Sequence, residues 1–154
     1  GETLVLMGIG PECGMPETYQ ITSALKYMKG GERIALITDG RFSGVSTGAC
    51  IGHISPEAWA DGPIGRIRDG DTIRIAIDTI ALEGSINIVT SDDNAAFDQR
   101  PRHPNLKPDP NVPADTRLWA ALQNASGGSW AGCVYDADRI AELLAKGLEA
   151  EKAQ

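Results

Sequence analysis

The alternation of apolar and polar positions divides the chain into short strands, a few helices and two irregular stretches. Leu4-Val5-Leu6-Met7 and Ile34-Ala35-Leu36-Ile37 are apolar runs of strand length, predicting strands over residues 3–7 and 34–37. A third strand is predicted over 49–54. Thr72-Ile73-Arg74-Ile75-Ala76-Ile77-Asp78 alternates as a half-buried strand does, and Ile86 and Ile88 alternate again after Glu83-Gly84. Ile21, Leu25 and Met28 share one helical face, predicting a helix over 16–28 with Pro16 near its first turn and Gly30-Gly31 as its stop. Ser55-Pro56-Glu57 reads as another helix start, with Ser55 as cap and an end by Gly62. Further on, Leu118, Trp119 and Leu122 mark a helix over 115–123. Ile140, Leu143, Leu144 and Leu148 mark one from 136 to about 151, capped by Asp136 and weakened by Gly147. The glycine-rich run 126–133 between them is expected to pack against the site or an edge strand. These elements place the chain in the α/β class.

Composition sharpens the division. At 154 residues the chain is long enough for one domain with a core, and its 42% hydrophobic and 23% charged content are those of an ordinary globular protein. Residues 1–99 carry 14 acidic and 7 basic side chains, whereas 100–154 balance at 7 and 7. The first stretch also holds 14 of the 18 glycines, as tight turns between short strands require. The second opens with five prolines over 101–113, which forbid regular structure there. The expected organisation is a strand-rich unit over 1–99, with a proline-rich connector and helical extension over 100–154 packed on the same domain.

A net charge of −7 argues against a nucleic-acid partner. No apolar stretch approaches the roughly 18–20 residues that span a bilayer, and no signal peptide is visible. Cys13, Cys50 and Cys133 form neither a disulfide framework nor a zinc pattern, so a reducing cytoplasm is the expected compartment. The chain runs from Gly1 almost at once into strand, the look of a domain cut from a longer protein.

The chemistry concentrates where the second strand ends, in Thr38-Asp39-Gly40-Arg41-Phe42-Ser43-Gly44-Val45-Ser46-Thr47-Gly48. A strand running into such a loop fixes position, and its glycines admit close backbone approach to a ligand. Ser43 is a candidate base or nucleophile if its deprotonated form is stabilised; otherwise it caps a turn. Arg41 suits a bidentate substrate carboxylate, or a surface ion pair with Asp39. Asp39 itself is open to a role as loop cap. In the loop Gly10-Pro11-Glu12-Cys13-Gly14-Met15-Pro16-Glu17, Glu17 is placed in the first helical turn, where a carboxylate can ligate a hard cation such as Mg²⁺ or serve as an ordinary first-turn residue. Neither a phosphate-binding loop nor a hydrolase elbow is present. His53 is expected to be a core or turn histidine, and His103 has no assigned role.

Gly-Pro-Glu-Cys-Gly-Met-Pro-Glu (10–17), Leu-Ile-Thr-Asp-Gly-Arg-Phe-Ser-Gly (36–44), Gly-His-Ile-Ser-Pro-Glu-Ala (52–58) and Gly-Pro-Ile-Gly (62–65) ahead of Arg-Asp-Gly-Asp-Thr-Ile (68–73) resemble, in order and spacing, the C-terminal domain of the IlvD/Edd dehydratases. Thr18-Tyr19-Gln20 and the run from Val45 to His53 are most similar to the branch acting on aldonic acids such as xylonate, and the tail resembles it more weakly. The resemblance implies a β-barrel-like swivelling domain with flanking helices. It also implies dehydration of a 2,3-dihydroxy acid to a 2-keto-3-deoxy acid, with Ser43 removing the C2 proton and Glu17 ligating Mg²⁺. Ser46 and Thr47 would contact the substrate beside Arg41. An iron–sulfur cluster would be supplied by an N-terminal domain of the same protein, with no cluster ligand in this chain and no catalysis by the chain alone. Homo-oligomers are implied for the complete enzyme, and weak self-association for the fragment. Two competing readings are a stand-alone sugar-acid binding or regulatory module, and a serine hydrolase using Ser43, His53 and Asp39.

Overall fold

A computed structural model describes residues 1–89, 94–107 and 109–153. In chain order the elements are β1 (Glu2–Leu6), α1 (Tyr19–Tyr27), β2 (Ile34–Thr38), β3 (Cys50–Ile51), β4 (Thr72–Asp78), β5 (Glu83–Val89), α2 (Asn94–Asp98), α3 (Ala114–Ala125) and α4 (Ala137–Lys152), with short 3-10 turns between them. The protein is α/β. β1, β2 and β3 form a parallel sheet in that order, with Glu2 opposite Ile34 and Leu36 opposite Cys50. A parallel pair needs a crossover, and α1 supplies it between β1 and β2. β4 and β5 form an antiparallel pair with Ile73 opposite Ile88 and Ile75 opposite Ile86. Among the described residues the two sheets do not close into a barrel.

The apolar patterning explains the core. β2 is central in its sheet, so Leu36 and Ile37 are buried in succession rather than alternately. Ile37 joins Ala58, Ile64, Ile67 and Phe97, and the inward isoleucines of β4 and β5 pack against this cluster. The strand predicted over 49–54 shrinks to two residues, because Ile54 donates its N–H to Thr38 O across a loop instead of extending the ladder.

The helix predicted from Ser55 does not form. The Ala58 N–H is drawn to the Asp39 carboxylate, and Gly62 returns its N–H to Glu57 O at 2.8 Å, so 55–62 is a tight turn. Gly62 has an ordinary φ of −63°, yet a Cβ there would lie 1.7 Å from the Pro56 carbonyl oxygen.

The described residues of 101–112 carry no helix or strand; Pro108 lies outside them. The tail is tied to the body by His103 N–H to Gly65 O at 2.7 Å, Arg102 Nε to Asp61 Oδ1 at 3.0 Å and Trp130 Nε1 to Ala60 O at 3.0 Å. Asp136 caps α4 by accepting the Arg139 N–H at 2.9 Å. The apolar residues that marked α3 and α4 point largely outward, and Leu118, Trp119, Leu144 and Leu148 are exposed. No helix among the described residues is long and apolar enough to cross a membrane.

Two glycine substitutions separate packing from propensity. Gly62→Ala is expected to cost about 3 kcal/mol or more, because backbone must move to admit the methyl. Gly147→Ala, in α4 with nothing within 4 Å of the new Cβ, is expected to stabilise by up to about 1 kcal/mol. Urea midpoints measured side by side would test both signs.

Candidate active site

The parallel pairing of β1 and β2 brings the loops that leave their carboxyl ends side by side, where open α/β sheets bind ligands. Asp39 locks them together. Its carboxylate is 1% exposed and accepts N–H bonds from Gly8 at 3.0 Å, Ile9 at 3.1 Å and Ala58 at 2.9 Å. Asp39 is therefore a loop anchor and forms no pair with Arg41.

Glu17 does not lie in the first turn of α1, which starts only at Tyr19. The chain runs extended before it, and Glu17 forms a parallel bridge with Arg41. Thr18 donates both its N–H and its hydroxyl to Arg41 O, at 3.2 and 2.8 Å, so its hydroxyl is used across the loops and does not cap α1. Arg41 Nε in turn donates to Met15 O at 2.8 Å. Glu17 Oε1 is left buried without a hydrogen-bond partner.

Beyond Arg41 the loop turns. Ser43 Oγ accepts the Val45 N–H at 3.1 Å, and Ser46 returns its N–H to Ser43 O. This is the turn-capping arrangement, but it also has a chemical aspect: an N–H aimed at Oγ favours the oxygen's anionic form, while the hydroxyl proton stays uncommitted. Ser46 Oγ lies 3.0 Å from Thr22 Oγ1 on α1. Thr22 spends its single proton on Tyr19 O, so Ser46 is the donor in this pair and keeps its lone pairs as acceptors. Thr47 is exposed, and its carbonyl accepts from Cys50 Sγ.

Glu17, Arg41, Ser43 and Ser46 thus lie on adjoining, mutually bonded segments. His53 does not join them as a base. It sits at φ +56° with its N–H on Gly40 O and its side chain exposed, and all three bonds to Asp39 come from backbone. No serine-hydrolase triad is assembled.

Glu57 is the residue that sequence patterning missed. Read as a helix start, it is instead 1% exposed, accepts the Glu12 N–H on both oxygens at 3.0 and 3.1 Å, and receives the Ser129 hydroxyl at 2.7 Å. Burial raises its carboxyl above the ordinary range against the pull of those donors, and nearby Glu12 and Asp39 add to the rise. The Cys13 thiol is pushed up to about 11, first by burial and then by the Glu57, Asp39 and Glu12 carboxylates.

A hard cation fits Glu17, whose orphaned buried oxygen is the kind of ligand Mg²⁺ takes singly or in pairs alongside water and substrate oxygens. Burial holds Cys13 and Cys50 toward the protonated thiol, and among the described residues no three His, Cys, Asp or Glu side chains converge on an ion site.

The dihydroxy-acid/6-phosphogluconate dehydratase C-terminal family model matches residues 1–133. The chain belongs to this family. It is 52% identical to D-xylonate dehydratase YagF and 53% identical to D-xylonate dehydratase YjhG, both of Escherichia coli strain K12. Those matches cover 97% and 94% of the chain and 24% of each relative. The dihydroxy-acid dehydratase of Aquifex aeolicus strain VF5 is 52% identical over 54% of the chain and 15% of its own length. The chain thus spans about a quarter of the length of the xylonate dehydratases it matches. The two xylonate dehydratase matches extend into the tail, whose Ser129 meets Glu57.

Glu57 gives this dehydratase domain a pH signature. With its folded pKa above the unfolded 4.5, its contribution to stability is full below that value and is lost as pH rises through the folded pKa. Glu57→Gln cannot titrate. The stability difference should therefore shift in the variant's favour as pH is raised from 4 toward 7, read from urea midpoints at each pH. A shift toward wild type would show instead that the fold prefers the carboxylate.

Proposed function

We propose that the chain is the C-terminal, base-bearing part of a sugar-acid dehydratase that converts an aldonic acid such as xylonate to its 2-keto-3-deoxy acid. Residues 1–99 form the dehydratase domain in this reading, and 100–154 its connector and helical extension. The observation that carries it is the bridge between Glu17 and Arg41, which sets a buried, unpartnered carboxylate oxygen beside the Arg-Phe-Ser loop. The two xylonate dehydratases, similar over nearly the whole chain, support the choice of aldonic acid.

Arg41 binds the substrate carboxylate through the guanidinium nitrogens left beside Nε, which is committed to Met15 O. Ser46, already a donor to Thr22, accepts from a substrate hydroxyl, and Thr47 lines the same loop. Glu17 holds Mg²⁺, which when bound supplies Lewis acidity to the carboxylate and 2-hydroxyl oxygens. Ser43, as the alkoxide with the Val45 N–H on its oxygen, takes the proton from C2. The electrons of that C–H bond form the C2–C3 double bond as the 3-hydroxyl leaves with its bonding pair as hydroxide, which takes the proton held by Ser43, departs as water and returns the serine to the alkoxide. The resulting enol takes a proton at C3 as its 2-hydroxyl gives one up to solvent, and becomes the keto acid.

The iron–sulfur cluster and the remaining Mg²⁺ ligands belong to an N-terminal part of the complete cytoplasmic enzyme, so this chain alone is inactive. Exposed apolar residues of the tail, such as Trp119 and Leu144, support burial against that part or against another subunit.

Ser43→Ala in the complete enzyme is expected to lower kcat for 2-keto-3-deoxy acid formation by about 10²–10⁴-fold, with fold and cluster absorbance unchanged. Activity near wild type would return Ser43 to the role of a turn residue and overturn the mechanism.

A further inference from the structure

The loop that delivers Glu17 has little secondary structure of its own. Its carbonyl at Gly10 closes a turn on the N–H groups of Cys13 and Met15, at 2.9 and 3.0 Å, and Met15 sits at φ +51°. What fixes that turn in space comes from far along the chain. Glu57 grips the Glu12 N–H with both oxygens and packs so closely that a Cβ on Gly10 would lie 2.4 Å from its Oε2. Thr116 on α3 covers Gly14, where a Cβ would lie 2.1 Å from its methyl group. Ser129, in the glycine-rich turn of the tail, donates its hydroxyl to Glu57 Oε1 at 2.7 Å. On the far side of the turn, Met15 O takes the Arg41 Nε bond, and two residues later comes Glu17 with its unpartnered oxygen.

These contacts form one connected path from the tail to the candidate cation ligand: Ser129 to Glu57, Glu57 to the Glu12 N–H, and the turn to Met15 and Glu17. We propose that Ser129, acting through Glu57, is a positioning residue for Glu17, so that the C-terminal extension tunes the enzyme's hold on Mg²⁺ without touching the ion. Partners beyond the ligands commonly set metal affinity by orienting what they support. Removing the hydroxyl takes one of two donors from Glu57 Oε1, and the carboxylate's remaining donor is the Glu12 N–H that both oxygens share, so a shift of Glu57 is passed to the turn. The inference rests on the reading of Glu17 as the Mg²⁺ ligand.

The test is Mg²⁺ affinity, measured by titration calorimetry on the complete enzyme as wild type, Ser129→Ala, Ser129→Thr and Glu17→Gln. Ser129→Ala is expected to weaken Mg²⁺ binding by about ten-fold, and Ser129→Thr, which keeps the hydroxyl, to restore most of it. A merely structural serine would lower the melting temperature and leave the affinity in place; that result, with Glu17→Gln weakened, overturns the positioning role alone. Unchanged affinity in Glu17→Gln would overturn the ligand reading and this inference together.

Discussion

Three backbone N–H groups converging on one buried carboxylate hold this site in shape. Asp39 sits where β2 ends, and its partners belong to the loop after β1 and to the turn after residue 55. An uncompensated carboxylate at that depth would be strongly destabilising, so the three segments are tied as firmly as the charge needs its donors. Around this anchor lie the close approach of Gly62 to Pro56, the Arg41–Ser46 loop and the bridge to Glu17. The motif Thr-Asp-Gly-Arg-Phe-Ser-Gly thus divides its labour: its aspartate builds the loop, while Arg41 keeps guanidinium nitrogens beyond the Nε bonded to Met15 O, and Ser43 keeps its hydroxyl proton beside the N–H that its oxygen accepts.

The surroundings are acidic. Burial pushes the Cys13 thiol up to about 11, with the nearby Glu57, Asp39 and Glu12 carboxylates adding to the rise, and residues 1–99 carry an excess of seven negative charges, 14 against 7. A sugar acid is an anion and would be repelled by such a field. In the proposed reading, Arg41 and a cation on Glu17 would reverse it locally, which is why the cation belongs in that reading rather than beside it.

Much of this was legible in the sequence, for physical reasons. β2 reads as an apolar run because it is buried on both faces, and β4 alternates because it is buried on one. The loop after β2 declares itself by composition. What stayed hidden depended on contacts distant in sequence. Ser55-Pro56-Glu57 has every local mark of a helix start, but the Ala58 N–H and the Glu57 carboxylate are both claimed by partners that no local rule describes. Pro16 likewise suggested an earlier start to α1, which begins only at Tyr19 because Glu17 bridges to Arg41 and Thr18 is bonded to the Arg41 carbonyl. Nothing local marks Glu57 as an anchor, because its partner Ser129 lies 72 residues away.

The register of the parallel sheet carries a cost in chain entropy. Each β1–β2 partner is 32 residues from its mate, as in 34 − 2, whereas the antiparallel β4–β5 pair closes across 5, as in 83 − 78. Loop closure therefore costs about 1.6 kcal/mol more for the first pairing than for the second. The hairpin is closed largely by its own turn, where Asp78 Oδ1 accepts the Ile80 and Ala81 N–H groups. The two loops that carry the candidate site are built on the pairing with the weaker local claim to exist, and non-local packing has to hold it closed.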